Sequence, residues 1–162
     1  MKKWMGMLLA VLLLTGCGAE ETMETVADEL ALPAVAQPRP VQVDLPGEAA
    51  MPAVESSSGR VYICQDYEIV LQTFASGDLS GTVREISGQD LDSLSVMQTG
   101  QENVKRYEFV WAAAGETGDQ LGQAVILDDG NYHYTMTVTR KADPAAASQV
   151  SWSEVFESFR LG

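Results

Sequence analysis

The stretch Gln120 to Arg140, QLGQAVILDDGNYHYTMTVTR, is two β-rich runs meeting at Asp128-Asp129-Gly130. A glycine after aspartate between such runs marks a hairpin, because glycine accepts the positive φ that a primed turn or its bulged relative imposes. The second arm alternates, with Tyr132, Tyr134, Met136 and Val138 on one face and His133, Thr135, Thr137 and Thr139 on the other. That period of two predicts an antiparallel sheet with one face turned to a core. The aspartates raise the question of calcium, but the twelve-residue ligand spacing of a calcium loop is missing, so they are read as turn residues.

Working outward, Val104 to Ala113 reads as the next strand, with Tyr107, Phe109 and Trp111 on one face and Val110, Ala112 and Ala114 on the other. Apolar residues on both faces point to a strand inside the sheet. Further upstream, Tyr67 to Phe74 and Leu79 to Ile86 read as strands around the turn Ala75-Ser76-Gly77-Asp78. A short strand from Leu94 to Gln98 lies between loops at Ser87 to Ser93 and Gly100 to Asn103. Gly115, Gly118 and Gly122 are assigned to strand ends, where turns need them. After the hairpin, Ser151 and Glu154 have the spacing of a capping box, and Val150 and Val155 that of a hydrophobic staple. Trp152, Val155, Phe156 and Phe159 then follow the i, i+3, i+4, i+7 spacing of one buried helical stripe. The fold class expected is α+β: an antiparallel sheet of five to six strands with a C-terminal helix packed on one face. The alternating strand Tyr132 to Val138, followed by a linker and the closing segment Val155 to Leu161, resembles the C-terminal third of PsbP-like domains. That resemblance implies an antiparallel sheet flanked by helix, in a family of mostly accessory or binding proteins, and assigns no functional residue.

The N-terminus is organised differently. Met1-Lys2-Lys3 is basic, Trp4 to Leu14 is apolar, and Leu14-Thr15-Gly16-Cys17 is a small-residue site closing on cysteine. About eleven apolar residues are too few to span a bilayer, which needs roughly twenty, so residues 1–16 read as a signal peptide. Leu-Thr-Gly-Cys resembles the lipobox of bacterial lipoproteins. This implies diacylglyceryl attachment at Cys17, cleavage after Gly16, and a lipid anchor on the extracytoplasmic face of a membrane. Gly18 stands where aspartate would signal inner-membrane retention, which favours a Gram-positive cell membrane and leaves an outer-membrane location open. From Gly18 to Gly59 the chain holds five of its six prolines and eight acids against Arg39 alone, with no aromatic residue. Such a composition cannot offset its ordering entropy by burial, so residues 17–59 are expected to form a lipidated, disordered acidic tether, with at most a transient helix over Glu24 to Leu32. Residues 60–162 are expected to form the α+β domain.

Function is constrained mostly by exclusion. The chain carries a net charge of −13 and has no Lys/Arg stripe, so nucleic acid is not an expected partner. With Cys17 lipidated, Cys64 is the one remaining cysteine and is read as a small buried hydrophobe. One histidine cannot build a multi-histidine zinc site, and no nucleophile elbow, phosphate loop or dinucleotide fingerprint occurs; no cofactor, metal or catalytic residue is expected. The expected role is a binding or accessory module of the cell envelope, taking a protein, peptide or glycan. The alternative is a small envelope hydrolase using Cys64 or carboxylates such as Glu108 and Glu116. If the closing helix covers the Tyr132, Tyr134 and Met136 face, then His133, Thr135 and Thr137, with Ala112 and Ala114 beside them, form the candidate binding face.

Overall fold

The computed structural model describes residues 36–101, 103–115, 118–141 and 150–162. The signal segment, Cys17 and the Glu24 to Leu32 stretch lie outside them. Within the domain of residues 37–162, the elements run in chain order. They are β1 (Val41–Gln42), a 3-10 turn (Gly47–Ala49), β2 (Val54–Glu55), β3 (Gly59–Ile63), β4 (Tyr67–Ala75), α1 (Leu79–Ser87), a second 3-10 turn (Leu91–Ser93) and β5 (Met97–Gln101). After them come β6 (Val104–Gly115), β7 (Gly118–Asp128), β8 (Tyr132–Lys141), α2 (Trp152–Ser158) and β9 (Arg160–Leu161).

The hairpin that opened the sequence reading joins β7 to β8. Gly130 has φ +88°, and the Asp129 carboxylate accepts the N–H groups of Asn131 and Tyr132 at 2.9 and 2.8 Å. Burial works to raise the Asp129 carboxyl, but those N–H groups and the Tyr134 hydroxyl outweigh it and hold it below the usual carboxylate range. From this hairpin the sheet grows in both directions to seven strands in the order β2-β3-β4-β8-β7-β6-β5, antiparallel at every pairing, with a separate two-stranded pair β1-β9. The α+β class therefore holds, with a sheet larger than the five to six strands expected.

Leu79 to Ile86 is a correction: it is helix, not strand. Asp78 caps it by accepting the Ser80 N–H at 3.2 Å, and Gly88 at φ +70° ends it. Leu79, Val83 and Ile86 recur at helical rather than alternating spacing and turn one stripe toward the sheet. The register then sorts the two faces. Phe109 pairs with Ala124, which pairs with Thr137, so Tyr107, Phe109 and Trp111 share a face with His133, Thr135 and Thr137. That face is covered by α1, with Val83 fully buried among Phe109, Ala124 and Ile126. The opposite face carries Ile69, Leu71, Val125, Tyr134 and Met136 beneath the α2 stripe, whose Trp152, Val155, Phe156 and Phe159 are all buried. The closing helix thus packs on the Tyr134 face as expected, while the Tyr107, Phe109, Trp111 face belongs to α1. Ser151 takes the cap position of α2 without a side-chain capping bond. At the other end Arg106 donates to the carbonyls of Phe156 and Phe159 at 2.8 and 3.1 Å, satisfying acceptors that the helix leaves open.

The domain boundary is a second correction. Residues 37 to 59 are not a tether but a strap across the α2 face. β1 pairs with β9, and Val41, Val43 and Leu45 pack against the main core, with Ala49 buried. The Arg39 N–H donates to the Tyr134 hydroxyl at 2.8 Å, the Asp44 N–H to Ser158 Oγ at 2.8 Å, and the Gly162 N–H to the Pro40 carbonyl at 2.8 Å. β2 adds an edge strand to β3, with Glu55 accepting from Arg60 Nε at 2.9 Å. A segment poor in large apolar residues cannot build a core, but it can be ordered by one that other elements supply.

Limited proteolysis should therefore leave a core whose N-terminus lies near residue 37, and a stable fragment starting near Arg60 would contradict the strap. Phe156→Ala should cost about 3–5 kcal/mol in denaturant unfolding. A loss under about 1 kcal/mol would mean that α2 does not pack as described.

Candidate functional site

The expected binding face is closed. His133 and Thr135 are each 1% exposed and Thr137 is 8% exposed, because α1 lies over them. Thr82 of α1 meets His133 through an Oγ1 to Nδ1 hydrogen bond of 2.7 Å, and Thr135 Oγ1 donates to the Gln72 carbonyl at 3.3 Å. The polar residues that alternation turned outward are therefore the polar part of a second core, with His133 and Thr135 hydrogen-bonded inside it. Ala112 lies on the opposite face from them, by the same register that places Trp111 with Thr139. Thr82, His133 and Asp128 form a hydroxyl–imidazole–carboxylate line, but His133 Nε2 stands 3.9 Å from the carboxylate, beyond hydrogen-bond length. What this line does is fasten α1 to β8.

The other residues singled out in the sequence are dispersed. Glu108 is engaged by Arg106 Nε at 2.6 Å, and Glu116 lies outside the described residues. Cys64 is half-buried against the main core next to Tyr67. Burial, then Cys64 and Glu48, push the Tyr67 phenol well up, and its hydroxyl finds no hydrogen-bond partner among the described residues. No group of three or more His, Cys, Asp or Glu among the described residues is arranged to hold a metal ion, and no helix there is long and apolar enough to cross a membrane.

The concavity that remains is built by the end of α1. Gly88 ends the helix beside the row Glu68, Thr139, Gly122 and Trp111, which are register partners on adjacent strands. A groove of about 940 Å³ opens there, with Ile86 and Gln89 on the helix side and Glu68, Thr139, Gln120 and the rim of Trp111 along the sheet. Its floor depends on Gly122. A Cβ at that position would lie 2.2 Å from Trp111 Cε2, so the glycine is what lets the indole lie flat on the sheet. Gly122 was assigned to a strand end and in fact sits within β7. A glycine inside a β-rich run, on the strand that directly follows a tryptophan-bearing one, was the readable signal of close packing. Gln89 Nε2 donates to the Ala112 carbonyl at 3.2 Å and ties the post-helix loop to β6, and Lys141 meets Asp66 at 3.4 Å at the groove's end.

A smaller groove of about 370 Å³ runs between Pro38 to Val41 and Ser56 to Gly59. Its guanidiniums already serve the domain, Arg39 donating to the Gly162 carbonyl at 2.8 Å and Arg60 pairing with Glu55. The groove beside α1 is the better candidate on both size and free hydrogen-bonding chemistry. No family model, no curated protein and no solved structure matches the chain.

Gly122→Ala should force the indole off the sheet, shifting the Trp111 Nε1–H resonance and costing about 1–3 kcal/mol by overpacking. An unchanged resonance together with unchanged stability would show that the groove floor is not built on this contact.

Proposed function

We propose that the protein is a lipid-anchored extracytoplasmic lipoprotein whose domain is a binding or accessory module of the cell envelope, with the groove beside α1 as its binding surface. The observation that carries the anchor is the order of parts at the N-terminus, a basic start, a short apolar run and Leu14-Thr15-Gly16-Cys17. Diacylglyceryl on Cys17 supplies two acyl chains, and two chains hold a protein at a membrane where one would leave it exchanging. Between Cys17 and the strap lie positions 18 to 36, which at about 3.3 Å per residue limit the reach of the domain to roughly 60 Å from its anchor. Gly18 in place of aspartate favours the outer face of a Gram-positive cell membrane. The acidity of the chain supports a surface kept soluble and disfavours a nucleic-acid partner. A sheet closed by a C-terminal helix is the architecture that the PsbP-like resemblance implies, and the accessory role is proposed on that resemblance.

Cys17→Ser should abolish labelling by a radiolabelled fatty acid and leave an unprocessed precursor. Membrane attachment that survives the substitution, or mature protein with an unmodified N-terminal cysteine, would overturn the anchor.

A further inference from the structure

Resting on the reading of the groove as a binding surface, we infer that its ligand is a neutral, hydroxyl-rich oligosaccharide. Charge is the first reason. Residues 60 to 162 carry 15 acids against 7 bases, yet the groove is lined by two acids, Asp66 and Glu68, and two bases, Arg140 and Lys141. Asp66 and Lys141 already meet each other, which leaves one acid, Glu68, and one base, Arg140, so the lining carries no net charge to select a charged ligand.

The hydrogen-bonding inventory is the second reason. Gln120 and Thr139 each donate and accept, Glu68 accepts at two oxygens, and Gln89 keeps its amide oxygen as an acceptor after donating to Ala112. Paired donors and acceptors without net charge match vicinal hydroxyls, which also do both. Ile86 and the rim of Trp111 give the same groove an apolar border for the C–H side of a sugar ring. Trp111 is only 6% exposed, so stacking is limited to that rim and the polar row carries selectivity.

The floor itself argues against an extended peptide. Peptides that bind sheets add to a free edge and use main-chain hydrogen bonds for affinity. Here β4, β8 and β7 are paired on both sides, so their main-chain groups are consumed by the ladder; β6 is paired with β5 only from Val104 to Glu108, and beyond it the Ala112 carbonyl is taken by Gln89 Nε2. On β4, β8 and β7 side chains alone are left to recognise a ligand, as suits a sugar.

The test is an NMR titration of the isotope-labelled, full-length lipidated protein in non-glycosidic detergent micelles. The probes are chitotetraose, cellotetraose and maltotetraose, with tetragalacturonate, tetralysine and tetra-alanine as charged and peptide counterparts. At least one neutral sugar should saturably shift Gln89, Gln120, Thr139 and the Trp111 indole. Glu68→Gln and Thr139→Val should each weaken it by about tenfold, the scale of one hydrogen bond lost, while leaving the melting temperature unchanged. Shifts of the same residues by a peptide or a charged probe and by no neutral sugar would overturn the glycan assignment and keep the groove as a binding surface. If no probe moves the groove and crosslinking from intact cells through a photoreactive residue at Gln120 captures no envelope component, both the assignment and the binding reading fall.

Discussion

The rest of the structure depends on the burial of β8 on both of its faces. Tyr134 and Met136 have no exposure on one side, and His133 and Thr135 have 1% on the other. A strand in that position must be covered twice, and the covers need not be alike. The Tyr134 side is apolar and receives the aromatic stripe of α2. The His133 side carries an imidazole and hydroxyls, and burying these without partners would cost more than their packing returns. Thr82 meets that requirement from α1 with a 2.7 Å hydrogen bond to His133, and the Gln72 carbonyl meets it for Thr135 from the neighbouring strand. The position of α1 is therefore set by polar satisfaction as well as by Val83.

On the α2 side the cover is completed by the strap. A seven-residue helix is about 10 Å long, far short of the strands beneath it. The strap extends the cover with Val41, Val43, Leu45 and Ala49, and its hydrogen bonds tie the start of the domain to its last residues. Tyr134 links this cover to the hairpin, accepting from the Arg39 N–H and donating to Asp129 at 2.9 Å. The turn that organises β7 and β8 is thus braced by the segment that precedes the sheet in the chain.

Legibility in the sequence followed local signal strength. The hairpin at Asp128 to Gly130 and the stripe Trp152, Val155, Phe156 and Phe159 were readable because the residues that form each element also announce it. The helix Leu79 to Ser87 was misread because its interior contains Thr82 and Val83, both β-formers, and its identity rests on end signals at Asp78 and Gly88. Strap order was hidden because it comes from contacts more than a hundred residues away, as between Asp44 and Ser158, which composition cannot register. The candidate face failed for a related reason: alternation separates the two faces of a strand without saying that both are covered. His133 and Thr135 looked external only while α1 was read as another strand. The groove rested on Gly122 and Trp111, whose pairing requires the register of β6 against β7.

The groove then follows from a mismatch of lengths. Nine residues of helix extend about 14 Å, whereas the twelve residues of β6 extend roughly 40 Å, so α1 cannot cover its face alone. Leu91, Leu94 and Val96, which follow the helix, pack against part of the remainder. At the other end the row Glu68, Thr139, Gly122 and Trp111 emerges from under Ile86. A hydrophobic row there would have left an apolar patch open to water; instead the large apolar member is laid flat by a glycine, and its row partners are a carboxylate and a hydroxyl. The space that a side chain at Gly122 would take is filled by the indole itself. Concealment of the tryptophan therefore rests on one contact between neighbouring strands, and the groove opens beside it, where the cover ends.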